Sequence, residues 1–329
     1  MSVVRVRFCS LLTVVLLAAA VALPVRADNI EGHFDRTLKV TGPVDLDVQT
    51  GSGGVSVRAG SSGTVEIHGT IRISRGWHSD RDIEDRVHAI ESNPPIEQDG
   101  NTIRVGRMED HDLTHNISIS YELVVPTETK LRSQTGSGSQ AIEGIAGPVE
   151  ANTGSGSLRA ARIGNEIHAR TGSGSVELDS IHGNVRTSTG SGSIRAMGIA
   201  GGIVASTGSG SVRVEQTSAG DVEIETGSGG VELSGVKGAA RISAGSGSIT
   251  AEGAPAGQWR LHTASGSVTL RLPQQAAFDL EARTSSGHIE SSFPITVQGT
   301  ISPRELHGKV RGGGVLVELS TSSGDINIE

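Results

Sequence analysis

Thr171-Gly172-Ser173-Gly174-Ser175 decides how this chain reads. The same five residues begin at Thr135, Thr153, Thr189 and Thr207, so five copies follow one another at intervals of 18 residues. Close variants continue at Thr226, Ala244 and Thr263, weaker ones at Thr284 and Thr321, and an early one stands at Thr50. A short fixed period means one structural unit stacked on itself.

Positions counted from the motif threonine give the unit its shape. Five after it come Val55, Leu158, Val176, Ile194, Val212 and Val231, with Gln140 the one exception. Seven after it come Val57, Ile142, Ala160 and Leu178; four before it, Leu46, Leu131, Val149 and Ile167; two before it, Val48, Ala151 and Ala169. Polar residues fill the positions between, and period-2 alternation is the strand signal. Each coil of ~18 residues therefore holds two short strands with two inward residues each. The expectation is an all-β, parallel β-solenoid, right-handed by analogy with parallel crossovers. Gly174-Ser-Val-Glu-Leu is echoed nine residues on by Gly183-Asn-Val-Arg-Thr, so the two halves of a coil are themselves alike.

In this frame the Gly-Ser-Gly stretch reads as a corner. A phosphate loop needs a helix after it, and every copy here runs into a strand. Calcium-binding rolls of the same period need Asp in each turn, where this chain has Ser. One threonine column set in a turn is also not the paired outward ranks of an ice-binding face.

The alternation breaks once. Ile83, Val87 and Ile90 fall at helical spacing, Ser79 with Asp82 resembles a capping box, and Asn93-Pro94-Pro95 ends the pattern. A short helix over 79–92 is expected, covering one end of the solenoid where strand edges lie open. Near the other end Trp259 stands in an aliphatic column one coil after Ala240, large beside small, and Phe278 is placed to plug the core. The organisation expected is a signal peptide over 1–27, an N-terminal β region with its helical insertion over 28–130, and a repeat solenoid over 131–329 that continues it.

Residues 1–27 carry Arg5 and Arg7, an apolar run from Phe8 to Leu23, Pro24, and small residues at the cleavage position. That pattern reads as an export signal, with a periplasmic, extracellular or cell-surface destination and no stable membrane span after cleavage. The only cysteine, Cys9, lies inside it, so the mature chain has no thiol for a disulfide or a metal. Net charge is −8, and removing 1–27 takes away three arginines and no acid, leaving −11. Such a balance opposes nucleic-acid binding. With 46 glycines and 2% aromatics the interior is thin and aliphatic.

Candidate binding residues lie on the outward columns: Arg159, Glu177, Arg195, Arg213 and Glu232 six after the motif threonine, and Glu150, His168, Arg186, Glu223 and Arg241 three before it. Their alternating signs also fit a solvated face with weak cross-strand pairing. Asp110, His111, Asp112 and His115 have the residue types of a metal site but read as a polar loop. No column gathers an acid–base pair or a nucleophile, so no catalytic, cofactor or metal residue is nominated and the chain is expected not to be an enzyme.

Tyr121-Glu-Leu-Val-Val-Pro126 followed by the Thr-Gly-Ser-Gly repeats, then Thr284-Ser-Ser-Gly-His-Ile, Leu306-His-Gly-Lys-Val and Leu319-Ser-Thr-Ser-Ser-Gly-Asp-Ile326, resembles the DUF4097 family of β-strand repeat proteins, candidate adhesins. The resemblance implies a β-solenoid of the bacterial envelope or surface with no catalytic residues to carry over. The function expected is adhesin-like, binding an envelope or surface protein or glycan along the side. The alternatives are an envelope-stress component or a polysaccharide-acting β-helix enzyme.

Overall fold

A computed structural model describes residues 31–73, 80–108, 117–297 and 302–329. The expected signal peptide over 1–27 and the polar cluster at 110–115 lie outside these residues. The described chain forms 29 strands and one helix. The strands make two sheets, sheet I of 14 strands and sheet II of 15. Sheet II takes the first strand of every coil and sheet I the second. Coils from Thr129 to Arg271 stack in chain order, each strand pairing in parallel with the strand one coil away. Val149–Thr153, for example, pairs residue for residue with Leu131–Thr135 on one side and Ile167–Thr171 on the other.

The interior is the set of inward columns, with Leu158, Ala160, Ile167 and Ala169 all buried. Three inward residues per strand replace the two expected. The motif threonines Thr135, Thr153, Thr171, Thr189 and Thr207 are themselves buried, so the threonine column faces inward. Five coils add another inward residue on the sheet I side, ten after the motif threonine: Ile145, Ile163, Ile181, Ile199 and Val236. It is reached through a left-handed residue just before it, Gly144, Gly198 and Gly235 in three coils and Arg162 (φ 54°) and Ser180 (φ 57°) in two. The exceptional Gln140 is also buried, and its amide nitrogen donates to the Asn152 carbonyl at 2.6 Å.

The corner is a hydrogen-bonded ladder between coils. Thr171 Oγ1 donates to the Gly156 carbonyl of the coil before at 2.8 Å and accepts from its own Gly174 amide at 3.1 Å. Thr153 and Thr189 repeat the pattern at 2.8 Å. The glycines are needed for approach. A Cβ on Gly174 would lie 2.5 Å from the carbonyl carbon of Gly156 and 2.8 Å from the amide of Ser157. From Ser209 onward the corner changes: the sheet II strands extend through it, with Ser209 paired to Ser228, and the second glycine takes positive φ, as at Gly229 (φ 146°).

Both ends depart from chain order. The coil Val44–Gly60 lies between the coil from Thr129 and an outer layer made later in the chain, Thr102–Val105 in sheet II and Ile117–Pro126 in sheet I. At the other end, Val315–Ser323 and Ile326–Ile328 slot between the coil of Trp259 and the coil of Phe278. The threonine ladder follows space rather than sequence: Thr321 donates to Gly266 O and Thr284 to Gly324 O, both at 2.9 Å.

The expected end features are present. The helix Asp80–Ser92 seats Val87 and Ile90 in the core. A Cβ on Gly32 of the edge strand Glu31–Lys39 would run into Val87. Glu91 Oε1 accepts the His33 amide at 2.9 Å, occupying one donor of that strand. Trp259 is fully buried opposite Ala240, and its indole nitrogen donates to Gly238 O at 2.9 Å. Phe278 is buried edge-to-face on Phe293, centroids 5.7 Å apart.

Candidate functional site

The outer face of sheet I carries a cleft of about 660 Å³ at its N-terminal end. It forms where the antiparallel strand Thr64–Ile73 joins the parallel coils through Ile117–Pro126. Thr70, Arg72, Ser120 and Glu122 supply one wall, and Ser56, Ala141, Arg159 and Glu177 continue it along the coils. Ser139, Ser157 and Ser175, four after each motif threonine, line the corner side. The ring of Tyr121 lies beneath, its hydroxyl driven well above the usual phenol range by burial. Small side chains at 56 and 141, between longer charged ones, leave the concavity.

On sheet II a trough of about 930 Å³ runs across coils along the column of first motif glycines, Gly51, Gly136, Gly154 and Gly172. With no side chains there, the floor lies low. The wall is the column one before the motif threonine: Gln49, Gln134, Asn152, Arg170 and Ser188. Arg107 and Met108 close the N-terminal end. A smaller hollow of about 280 Å³ lies farther along the same face between Glu223, Arg241 and Arg260.

Of the ten outward candidates, some are consumed by pairing between coils. Arg159 bonds Glu177 at 2.6 Å, and Arg213 bonds Glu232. Arg132 bonds Glu150 at 3.2 Å, and that hydrogen bond, with Asn152 adding another, holds the Glu150 carboxyl below its usual range. His307, with Arg283 beside it, does the same for the exposed Glu305. Among the described residues Arg195, Arg186, Glu223 and Arg241 have no ion pair within 4.0 Å. His168 pairs in register with Glu150 on one side and Arg186 on the other. Arg170, on the same strand as His168, was not among the candidates, because its column reads Gln, Gln, Asn, Arg, Ser and shows no charge pattern.

Among the described residues no three His, Cys, Asp or Glu side chains gather to hold a metal, and no helix is long and apolar enough to cross a membrane.

No curated protein matches the chain. Three solved structures align along most of their length: a candidate cell adhesion protein from Clostridium sporogenes (11% identity, 91% of this chain and 98% of that one, TM-score 0.24), a candidate adhesin from Bacteroides fragilis (14%, 90% and 97%, 0.32), and a candidate lipid binding protein from Parabacteroides distasonis (11%, 92% and 98%, 0.36). A family model described as Toastrack DUF4097 matches residues 164–329, half of the chain, and covers the coils from Ile167 to the inserted pair at Val315–Ile328. The chain belongs to the DUF4097 family.

Proposed function

We propose that the chain is an exported, non-enzymatic, adhesin-like solenoid that binds a protein or glycan of the envelope or cell surface along its side. The observation that supports this best is the sheet I cleft. It is open along the coils, walled by hydroxyls and by Arg72, Glu122, Arg159 and Glu177, and long enough to span several repeats. Such a surface suits an extended polar partner held by many modest contacts.

Arg195 is the sharpest probe, because it lies beside this cleft's charged column without an ion pair of its own. The chain is crosslinked gently in envelope extracts, as the natural sequence and as Arg195→Glu and Glu122→Arg variants. A recovered partner whose yield drops with these reversals supports the reading. Recovery of no partner, or a yield indifferent to both reversals, overturns it.

A further inference from the structure

The sheet II trough has a chemistry of its own. Arg170 lines its C-terminal end, and His168 and Arg186 stand beside it on two adjacent strands, His168 directly opposite Arg186 and Arg170 opposite Ser188. All three are exposed. Diagonal neighbours on such a pair lie about 7–8 Å apart, within reach of long side chains. Among the described residues neither arginine has a carboxylate within 4.0 Å or a hydrogen bond. Of the acids nearby, Glu150 is already held by Arg132 and Asn152, and Glu166 stands at the far end of the strand from Arg170. In a chain of net charge −8 this is an uncompensated basic spot.

From that spot the amides Asn152, Gln134 and Gln49 lead along the trough to Arg107. Asn152 donates to Glu150 at 3.2 Å and Gln49 to Asp47 at 3.3 Å, which orients both amides. An amide offers donor and acceptor together, as a sugar hydroxyl does. Guanidinium groups match carboxylates in a planar, two-bonded fork. We infer that this trough binds a glycan bearing carboxylates, an acidic polysaccharide strand laid along the solenoid axis, with Arg170 and Arg186 on a carboxylate and the amide row on hydroxyls. This rests on the reading that the chain binds along its side and names the ligand class for a second face.

An acidic peptide is the poorer occupant. Strand addition needs free main-chain donors, and here the corner amides are spent between coils: Gly136 donates to Thr50 O and Gly154 to Thr135 O, each at 3.1 Å. The floor is glycine and has no pockets for alternate side chains.

The test titrates the natural chain with hexagalacturonate, with its carboxyl-reduced neutral counterpart and with hexaglutamate, by calorimetry at low and moderate salt. The expected result is binding of the uronate, at least tenfold weaker binding of the other two, and a tenfold or greater loss in Arg170→Ser/Arg186→Ser. Lys237→Ser, at an exposed position several coils away from the trough, keeps full uronate binding. Circular dichroism confirms that the double variant is folded. Uronate binding unchanged in the double variant, equal binding of hexaglutamate, or no uronate binding at millimolar concentration overturns the inference. Partner capture through the sheet I cleft is measured separately with Arg195→Glu, so a failure here leaves that reading standing and a failure there is seen on its own.

Discussion

Gly174→Ala tests the reason for the glycine column. The added Cβ would lie 2.5 Å from Gly156 C and 2.8 Å from Ser157 N, and nearer still to Gly156 O, where real Cβ atoms stay beyond 3.0 Å. The obstacle is backbone of the preceding coil, not a side chain that can swing away. Reaching ordinary contact requires the coils to part locally by on the order of 1 Å, and overpacking of this kind costs about 1–3 kcal/mol. The same displacement pulls on the bonds from Thr171 to Gly156 O and from Gly174 N to Thr171, worth about 1 kcal/mol each. The expected loss is therefore about 3 kcal/mol. Gly51→Ala is the control built into the chain. It holds the first-glycine position in the earliest coil, no atom lies within 4 Å of its added Cβ, and its φ is not left-handed. Reduced freedom of the unfolded chain then makes that variant neutral or more stable by up to about 1 kcal/mol. Urea midpoints of the two variants give the comparison, and hydrogen exchange at the amides of residues 171–175 tells whether the loss is local, since stacked repeats open piecewise. Equal midpoints for Gly174→Ala and Gly51→Ala would refute the argument that coil-to-coil approach selects glycine.

Two threonine replacements should move stability in opposite directions. Thr171→Val strips a buried hydroxyl bonded on both sides and should cost about 1–3 kcal/mol. Thr187→Val, at a buried hydroxyl with no partner, should gain about 1 kcal/mol, both read from denaturation midpoints. Trp259→Ala removes the largest fully buried side chain and frees Gly238 O, so a loss of about 3–5 kcal/mol is expected by the same measurement. Arg132→Ala should let the Glu150 carboxyl rise toward the ordinary range, followed by NMR titration. Because the folded value is depressed, the pair's stabilising effect is present above the ordinary carboxylate pKa and fades as pH falls through the lowered one, and in Arg132→Ala that part of the acid sensitivity should disappear.

The stacking was legible because Val, Ile, Leu and Ala recur at fixed offsets from each Thr-Gly-Ser-Gly copy. The inward threonine was not, because a hydroxyl in a glycine-rich stretch reads as a surface turn, and only the carbonyl of the neighbouring coil makes burial favourable. The column Ile145, Ile163, Ile181 and Ile199 was visible in outline at 18-residue intervals, with Val236 two coils farther on. Its inward direction depends on a left-handed residue before it, which Gly144 and Gly198 advertise and Arg162 and Ser180 do not. The order of the end coils could not be read at all, since Thr284 and Thr321 have equivalent local sequences and only the packing of neighbours decides which lies outermost. The sheet I cleft was hidden for the same reason: Thr70 and Arg72 of its wall come from Thr64–Ile73, an antiparallel strand brought in by long-range pairing.

The slot filled by Val315–Ile328 makes the C-terminal end depend on timing. A chain emerging from a ribosome or an export channel presents Phe278–Ser291 first, but the surface on which that segment finally rests is supplied only about forty residues later. Until then it has either to wait or to dock provisionally on the exposed Trp259 coil and be displaced. Delayed, non-local pairing of this kind slows folding. The same arrangement works as a completeness check: a product cut between 292 and 314 keeps a repeat pattern yet lacks the wedge that separates two of its layers, and it would present an unfinished strand edge to proteases. Pulse proteolysis of nascent chains of increasing length should show protection of Phe278–Ser291 arriving late and in one step.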